Sequence, residues 1–272
     1  MLGFATVLLL SGALYAATHW TLEDMDAYWE AALRLRAGEP LYREYLDPTA
    51  ADVYRYAPWF AFAWVPLTFL PKAIVGVAWS TVLLAACVAC LAPLVRHATV
   101  ASVATAAFLG SFLLTIAAVG NVQPLMVAAL LFGLERRAGP VVIGLAASLK
   151  AVPILFLLVY LARGEWSKAT LGVVVTAILV VPMLVFDLTH YPTDPGQLSI
   201  SLFNRVPVLW AVLAATLTLA AAWLARRRSP YAWLAMSSAV FSSLPRAFGY
   251  DLTFLLCGLA DQTSPGRRSR AG

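Results

Sequence analysis

Apolar runs recur along the whole chain and are separated by short polar stretches. A membrane-spanning helix needs about 20 mainly apolar residues, and the candidate runs are residues 2–18, 56–70, 73–95, 99–118, 121–134, 139–162, 168–187, 207–225, 230–244 and 247–260. The runs at 121–134 and 247–260 are too short to cross a bilayer upright and are expected to be half-helices or re-entrant segments. The pattern predicts an all-α membrane protein: a polytopic helical bundle of about ten transmembrane segments in a single domain, residues 1–272.

The composition fits the same class. Of the 272 residues, 61% are hydrophobic and 12% are charged, whereas about a quarter of a soluble domain is charged. The mean hydropathy is +0.80. The net charge of +5 is spread over short loops, which is typical of helix anchoring at a membrane and not of nucleic-acid binding. The sequence has neither a phosphate-binding glycine loop nor a metal-ligand spacing, so we expect no cofactor, no metal and no nucleic-acid partner.

Two polar stretches are long enough to carry a functional site. Residues 19–55 contain 8 of the 14 acidic residues, and residues 188–206 form the second stretch. Residues 2–18 lack the basic start of a cleavable signal and are expected to remain as the first helix. With a cytoplasmic amino terminus, both polar loops emerge on the extracytoplasmic side of the plasma (inner) membrane. The same topology predicts an inner position for Lys72, Arg163, Lys168 and residues 226–228, and an outer position for Arg96, Arg136 and Arg137, which the positive-inside rule does not favour.

Residues 22–37 have the period of an amphipathic helix. At about 100° per residue, the polar face carries Glu23, Asp26, Glu30 and Arg34, and the apolar face carries Leu22, Met25, Tyr28, Trp29, Ala32 and Leu35. A helix with aromatic residues on its apolar face is expected to lie at the membrane interface. Asp24 is the exception among the acids, because it projects towards the apolar flank near Tyr28.

The position of Asp24 has two interpretations. A carboxylate directed at a partly dry environment has a raised pKa, which suits a general base. Alternatively, Thr21 and Asp24 fit a capping box, in which the Asp24 carboxylate only closes the start of the helix. Asp26, on the polar face, is the second-choice acid and is more typical of a solvated helix residue.

Three polar side chains lie between or within apolar runs in the middle of the chain. Lys150 lies three residues before Pro153, at a depth where an ionisable group is costly. It is interpreted either as a cation for an anionic headgroup or as a snorkelling lysine at a helix break. In "GNVQP", Asn121 and Gln123 are candidates for binding sugar hydroxyls, or for satisfying backbone groups freed by the helix break.

A last polar group lies between the two final apolar runs, in "LPRAFGYDL". It contains Arg246, Tyr250 and Asp251. One interpretation is a buried Arg246–Asp251 ion pair that holds the two runs together. The other is a contact with a phosphate or a sugar.

Four stretches have an order and spacing found in a known family. They are "DMDAYWEAALRLRAGEPLY", "YRYAPWFAFAWVPLTFLP", the segment from "GNVQPLMV" to "LKAVPILF", and "LPRAFGYDLTFLL". Together they resemble the polyprenyl-phosphate-mannose-dependent mannosyltransferases of glycosyltransferase family 87, which are membrane enzymes of the GT-C fold. The family's first-loop aspartate and the tyrosine four residues later fall on Asp24 and Tyr28, and its Tyr-x-Pro element falls on Tyr56 and Pro58.

The resemblance implies metal-independent transfer of a sugar with inversion on the extracytoplasmic face. The donor is a polyprenyl-phosphate-linked sugar of the outer leaflet, and the acceptor is a lipid or a glycan among the membrane lipids. The resemblance assigns the general base to Asp24 and makes Lys150 a candidate for binding the donor phosphate. Arg246, which the residues alone offer as a phosphate contact, is the second candidate. The expected substrate-binding residues are Tyr28, Tyr56, Asn121, Gln123, Tyr250 and Asp251.

Two other functions fit parts of the sequence. A small-solute membrane transporter is the first, because discontinuous helices at "GNVQP" and near Lys150 and Pro153 are also found at transporter sites. A catalytically inactive, shortened relative of the family is the second, because the chain is short for this family.

Overall fold

The computed structural model of the chain describes residues 10, 14, 18–45, 47, 53–96, 99–192 and 199–262, with side chains to residue 259. The predicted first span, residues 2–18, therefore lies outside the described residues except for three isolated positions. The α-helices are α1 Glu23–Ala37, α2 Pro58–Trp64, α3 Lys72–Arg96, α4 Val100–Ala118, α5 Gln123–Gly133, α6 Gly139–Leu149, α7 Leu157–Ala162, α8 Trp166–Val180, α9 Pro207–Arg226, α10 Ala232–Ser242 and α11 Leu256–Gln262. Five 3₁₀ segments join them, at Val65–Phe69, Val152–Phe156, Val181–Val185, Leu202–Asn204 and Gly249–Leu255.

The described part of the chain is helical throughout its regular structure, as the apolar pattern predicts. Within the described residues, four helical segments are long and apolar enough to cross a membrane: α3, α4, α8 with its 3₁₀ continuation to Val185, and α9. Five further apolar helical segments of the described residues have 10–17 residues, counting a 3₁₀ segment together with the α-helix that continues it. An 11-residue helix such as α5 is roughly 17 Å long, against roughly 37 Å for the 25 residues of α3. Short and long helices therefore pack together in one bundle.

The run at 139–162 is predicted as one span, but it folds as a hairpin. The chain leaves α6 at Lys150, whose backbone is extended (φ −136°, ψ 119°), and Pro153 begins the following 3₁₀ segment. Proline supplies no amide N–H for a continuing helix. The two arms return to the same end of the bundle, because the Tyr160 hydroxyl donates to the Leu134 carbonyl and lies against Gly139. Lys150 is therefore at the tip of the hairpin.

The run at 56–70 does not form a span either. It divides into α2 and the segment Val65–Phe69 and packs beside α1, where Arg36 Nη1 donates to Thr68 O at 3.2 Å. Lys72, at its far end, forms an ion pair with Asp26 of α1 at 2.9 Å. Both ends of this run therefore lie at the end of the bundle that holds α1.

These departures change the predicted sides of several basic residues. Lys72 lies at the α1 end, and Arg96 lies at the opposite end of the same 25-residue helix. Glu135 accepts from Arg163 Nη1 at 3.0 Å and from Trp233 Nε1, so three short loops meet at one end. The loop residues 134–138 thus lie with Arg163, and the predicted separation of Arg136 and Arg137 from Arg163 is wrong. Its cause is the hairpin at Lys150, which reverses the chain where one crossing was expected.

Helix α1 is held by an aromatic cluster at its end of the bundle. Tyr28 makes an edge contact with Phe60 at 4.9 Å between ring centroids and another with Tyr56 at 5.2 Å. Glu23 and Glu30 are exposed, as predicted, but Arg34 is only 6% exposed. Its Nε and Nη2 donate to Leu41 O, which closes the turn after the helix. The Arg34 side chain is therefore not exposed with the other polar residues of α1, because it is buried against the Leu41 carbonyl, which needs hydrogen-bond donors.

The end of α4 meets the beginning of α1. Gly120 N–H donates to Ala117 O and Asn121 N–H donates to Ile116 O, which is the Schellman pattern of a helix end. The carbonyls next in line, of Ala118 and Val119, accept from the N–H groups of Leu22 and Asp24 at 3.1 and 2.8 Å. The final carbonyls of one helix thus satisfy the first amides of another.

Gly120 makes this contact between the two helices possible. Its φ is +81°, and a Cβ built on it would lie 2.9 Å from Met25 Cβ and 3.0 Å from Met25 N. We predict that Gly120→Ala lowers the free energy of unfolding by clearly more than the roughly 1–2 kcal/mol that the left-handed conformation costs a non-glycine residue. The measurement is the apparent unfolding temperature of the purified protein in detergent.

Gly164→Ala is the matched control for this prediction. Gly164 has a φ of +77°, but a Cβ at this position would meet no atom within 4 Å. This variant therefore reports the backbone strain alone, and the difference between the two variants reports the close approach of α1. Equal losses of stability in the two variants would contradict the prediction.

Candidate active site

A cavity of about 590 Å³ lies at the α1 end of the bundle. The first polar loop contributes Asp24 and Arg55, followed directly by Tyr56, and the second contributes Tyr191. The helices and helix ends below the loops contribute the remaining polar side chains, which are Thr115, Asn121, Lys150, Arg246 and Tyr250. The two polar loops predicted to share one site therefore line the same cavity.

Asp24 is half-buried in the cavity wall, and its carboxylate is bound by a neutral donor. Asn121 Nδ2 donates to Asp24 Oδ2 at 2.7 Å. Burial raises the pKa of Asp24 to about 6, although the hydrogen bond from Asn121 and the positive charges of Arg55 and Lys150 oppose the rise. Helix α1 begins with Leu22 as its N-cap, and no side chain caps it. The alternative in which Asp24 only closes a capping box with Thr21 is therefore wrong.

Two tyrosines extend this hydrogen-bond network into the core. Tyr28 OH donates to Tyr56 OH at 3.2 Å and accepts from Val122 N–H at 3.2 Å. Asn121 Nδ2 also approaches Tyr56 OH, at 3.4 Å. Tyr28 is 0% exposed and cannot reach a substrate, whereas Tyr56 lines the cavity. The predicted substrate contact of Tyr28 is thus corrected to a support of Tyr56.

Lys150 is paired with Asp251 across the cavity floor. Lys150 Nζ lies 2.7 Å from Asp251 Oδ1, and Phe248 N–H donates to Asp251 Oδ2 at 2.9 Å. The lysine side chain is 20% exposed and the aspartate side chain 1%. Asp251 is therefore sequestered and does not contact a substrate in the cavity. The predicted Arg246–Asp251 ion pair is replaced by Lys150–Asp251, because the hairpin tip brings Lys150 to the buried carboxylate.

An aromatic stack separates the two predicted phosphate-binding cations. Phe248 and Tyr250 stack with an interplanar angle of 19°. Lys150 Nζ lies 4.9 Å from the centroid of Tyr250, and Arg246 Cζ lies 5.0 Å from that of Phe248. Each cation is therefore held against an aromatic face, and all four side chains line the cavity.

Two predicted site residues lie elsewhere. Gln123 is 0% exposed, and its Nε2 is near Thr253 Oγ1 at 3.3 Å, so its side chain joins α5 to the 3₁₀ segment Gly249–Leu255 and does not reach a sugar. Asp26 is 41% exposed in its ion pair with Lys72 and does not line the cavity. Asp24 is thus the acid of α1 that the fold brings to the cavity.

Arg55 and Tyr191 are cavity residues that the sequence did not single out. Tyr191 OH donates to Arg55 O at 3.0 Å and so joins the two polar loops. Burial lowers the pKa of Arg55, and the nearby charge of Arg246 lowers it further. A signal was available: Arg55 lies between two tyrosines in "YRYAP", where a charged residue interrupts an aromatic stretch.

An apolar groove adjoins the cavity. It has a volume of about 540 Å³ and lies between the 3₁₀ segment Val152–Phe156 and α9. Ala151 and Val152 line both the groove and the cavity. Its other walls are formed mainly by apolar and small side chains of α9, among them Trp210, Ala214 and Ala215. The hairpin tip is therefore the boundary between a polar site and an apolar channel.

Comparison with known proteins relates the chain to a family of enzymes. The family model of glycosyltransferase family 87 matches residues 54–245. No curated protein and no solved structure matches the chain. The matched region contains Arg55, Tyr56, Asn121 and Lys150, and Asp24 precedes it.

The Lys150–Asp251 pair gives a testable prediction. Asp251→Asn leaves the ammonium without its carboxylate in a largely buried position, so it is expected to lower the free energy of unfolding by about 2 kcal/mol or more. Adding Lys150→Met removes the uncompensated charge and should recover a large part of the loss. The measurement is the apparent unfolding temperature of the single and double variants.

Glu165→Gln is the control, because Glu165 pairs with Lys168 in a more exposed position. An exposed ion pair contributes at most about 1 kcal/mol, so this variant should unfold close to the wild-type temperature. If Lys150→Met recovers none of the stability lost in Asp251→Asn, the two side chains do not act as a pair and the prediction fails.

Proposed function

The chain belongs to glycosyltransferase family 87, and we therefore propose that it transfers a sugar from a polyprenyl-phosphate carrier to a hydroxyl of a lipid or glycan acceptor. Mannose is the first sugar to test. The observation that carries the proposal is Asp24: a half-buried carboxylate on the wall of a cavity that also contains basic side chains. Membership of a glycosyltransferase family favours an enzyme over the small-solute transporter. The inactive relative is distinguished by the experiment below.

Asp24 acts as the general base in the proposed reaction. Its carboxylate takes the proton of the acceptor hydroxyl, whose oxygen bonds to the anomeric carbon of the donor. The bond between that carbon and the phosphate oxygen breaks, and the electron pair leaves with the polyprenyl phosphate. Attack opposite to the departing phosphate inverts the anomeric configuration. A base with a pKa of about 6 is largely ionised at neutral pH and still accepts a proton.

Lys150 and Arg246 stabilise the negative charge that develops on the phosphate. Lys150 is fixed by Asp251 and by the Tyr250 ring, so its ammonium needs little reorganisation when the charge appears. Arg246 lies on the other side of the aromatic stack, and its planar guanidinium suits two phosphate oxygens at once. Tyr56 and Tyr250 line the cavity and supply aromatic surface for the sugar.

The apolar groove accommodates the lipid part of the donor. Its walls offer almost no polar surface, and it shares Ala151 and Val152 with the cavity, next to Lys150. A phosphate bound by Lys150 therefore has an apolar path for its attached isoprenoid chain. Contact between apolar surfaces supplies the affinity and little directional specificity.

We place the active site on the extracytoplasmic side of the plasma (inner) membrane. The support is the distribution of basic residues in short loops at the end opposite the cavity, which are Arg96, Arg136, Arg137, Arg163, Lys168, Arg226, Arg227 and Arg228. Such residues near helix ends favour the cytoplasmic side. Several arginines at the cavity end are in the folded first loop, where Arg34 is buried and Arg55 is half-buried.

The first prediction of this proposal concerns Asp24. Asp24→Asn removes the proton acceptor without changing the shape of the side chain, so the rate of transfer should fall by about 10²- to 10⁴-fold. In the wild type, the rate should rise as the pH increases through about 6, because only the ionised carboxylate acts as a base. The measurement is transfer from radiolabelled polyprenyl-phosphate mannose in membranes carrying each variant, from pH 4.5 to 8 in steps of roughly half a unit.

Asp26→Asn is the control, since it neutralises an acid of the same helix outside the cavity, and it should keep nearly full activity. Full activity of Asp24→Asn would refute the assignment of the base. If the wild type transfers neither mannose nor glucose nor galactose from such carriers, the proposed reaction is wrong and the inactive relative is favoured.

The second prediction concerns the groove. Ala215→Phe places a ring in the groove and should raise KM for a long-chain polyprenyl donor roughly tenfold, the equivalent of about 1.4 kcal/mol of lost binding. A donor with one or two isoprene units does not extend along the groove and should be used equally well by both proteins. Ala211→Phe, on an exposed position of α9 outside the groove, is the control. Equal changes of KM for long and short donors would contradict the assignment of the groove.

A further inference from the structure

We propose that Asn121 is a positioning residue for the reaction, and that its side-chain amide holds the Asp24 carboxylate at the cavity wall and leaves one oxygen of that carboxylate for the acceptor hydroxyl. The inference rests on the proposed function, because it assigns to Asn121 the orientation of the proposed base. It replaces the interpretation of Asn121 as a residue that binds sugar hydroxyls.

The orientation of the Asn121 amide is fixed by its own backbone. Asn121 Oδ1 accepts from Gln123 N–H at 2.8 Å, and only the oxygen of an asparagine side chain can accept from an amide. Nδ2 therefore faces the opposite direction, where it donates to Asp24 Oδ2 at 2.7 Å and approaches Tyr56 OH at 3.4 Å. With both N–H groups directed at Asp24 and Tyr56, the amide has no donor left for a sugar.

The backbone on both sides of this contact is also held in place. Asn121 follows Gly120 in the Schellman turn, and its N–H donates to Ile116 O at 3.1 Å. Asp24 N–H donates to Val119 O at 2.8 Å. Trp79 Nε1 donates to Gly120 O at 2.7 Å and fixes the turn from the side of α3. Asn121 and Asp24 are thus presented to each other by main-chain hydrogen bonds, and the side-chain contact needs little further ordering.

The chemistry of the donor matters for a base. A neutral amide stabilises the carboxylate by one hydrogen bond and does not cancel its charge, so the carboxylate still accepts a proton. Other charged or titratable groups also act on Asp24, and they are Glu23, Tyr28, Arg55, Tyr56, Lys150 and Tyr250. These groups are present in every variant proposed below, so a difference between variants reports the residue at position 121.

The experiment measures the protonation of Asp24 and the transfer rate separately. Dicyclohexylcarbodiimide reacts with protonated carboxyl groups, and mass spectrometry follows its addition to Asp24 in the full-length protein as a function of pH. Asn121→Ala removes the donor, which favours the ionised form, so the midpoint of labelling should move to higher pH by about one unit or more. The acid limb of the transfer rate should move in the same direction, with a loss of kcat of about tenfold or more at pH 8.

Asn121→Asp is the second variant. It keeps an oxygen for Gln123 N–H, and therefore the turn, but it places a second carboxylate against Asp24. Two adjacent carboxylates cannot both ionise easily, so the labelling midpoint should lie above that of Asn121→Ala. Thr253→Val is the control, because it removes a buried hydrogen-bonding hydroxyl of the neighbouring segment that lies outside the cavity. It should leave both the midpoint and the rate unchanged.

The outcomes separate this inference from the proposed function. If the labelling midpoint of Asp24 stays at the wild-type pH in Asn121→Ala and Asn121→Asp, Asn121 does not hold the carboxylate and the inference is overturned. A shift of the same size in Thr253→Val would overturn it as well, because any loosening of the region would then have the effect. Retained transfer in Asp24→Asn would instead refute the proposed function, whatever the labelling shows.

Discussion

The hydrogen bonds between the end of α4 and the beginning of α1 are the constraint on which the site depends. A helix that ends inside a membrane protein leaves carbonyls without partners, and a helix that begins there leaves amides without partners. Here each set satisfies the other, since Ala118 O and Val119 O accept from Leu22 N–H and Asp24 N–H. This geometry requires Gly120 between them, and it sets Asp24 beside Asn121.

The cavity exists because several helices stop at its depth. Helix α4 ends at Ala118, α6 ends at Leu149, and the chain after α10 turns at Leu244–Phe248. Glycine or proline occurs close to each of these ends, at Gly120, Pro153 and Pro245. Polar side chains then form hydrogen bonds with the backbone groups that are free where the helices end, or pair with each other. Asp251 does both, because it accepts from Phe248 N–H and pairs with Lys150. The polar site therefore lies within apolar surroundings because apolar helices are interrupted there.

The sequence predicts the class of fold and the long helices well, because hydropathy depends only on local composition. The runs at 73–95 and 207–225 differ from α3 and α9 by one residue at most at each end. The sequence does not predict the hairpin at Lys150, since both arms are equally apolar and their pairing is visible only in tertiary contacts such as that of Tyr160 with Leu134. The sequence does not predict the partner of Asp251 either, because Asp251 and Lys150 are 101 positions apart and only tertiary packing brings them together.

The two aspartates of the site show how one fold assigns different roles to the same functional group. Asp251 is paired with an ammonium and bound by a backbone amide, so adding a proton would leave Lys150 uncompensated at the cavity floor. Asp24 is bound by the neutral amide of Asn121, and its nearest cations act through space. Protonating Asp24 therefore leaves no direct partner with an unbalanced charge. A base must take up a proton in each cycle and release it again, and of these two carboxylates it is Asp24 whose surroundings permit this.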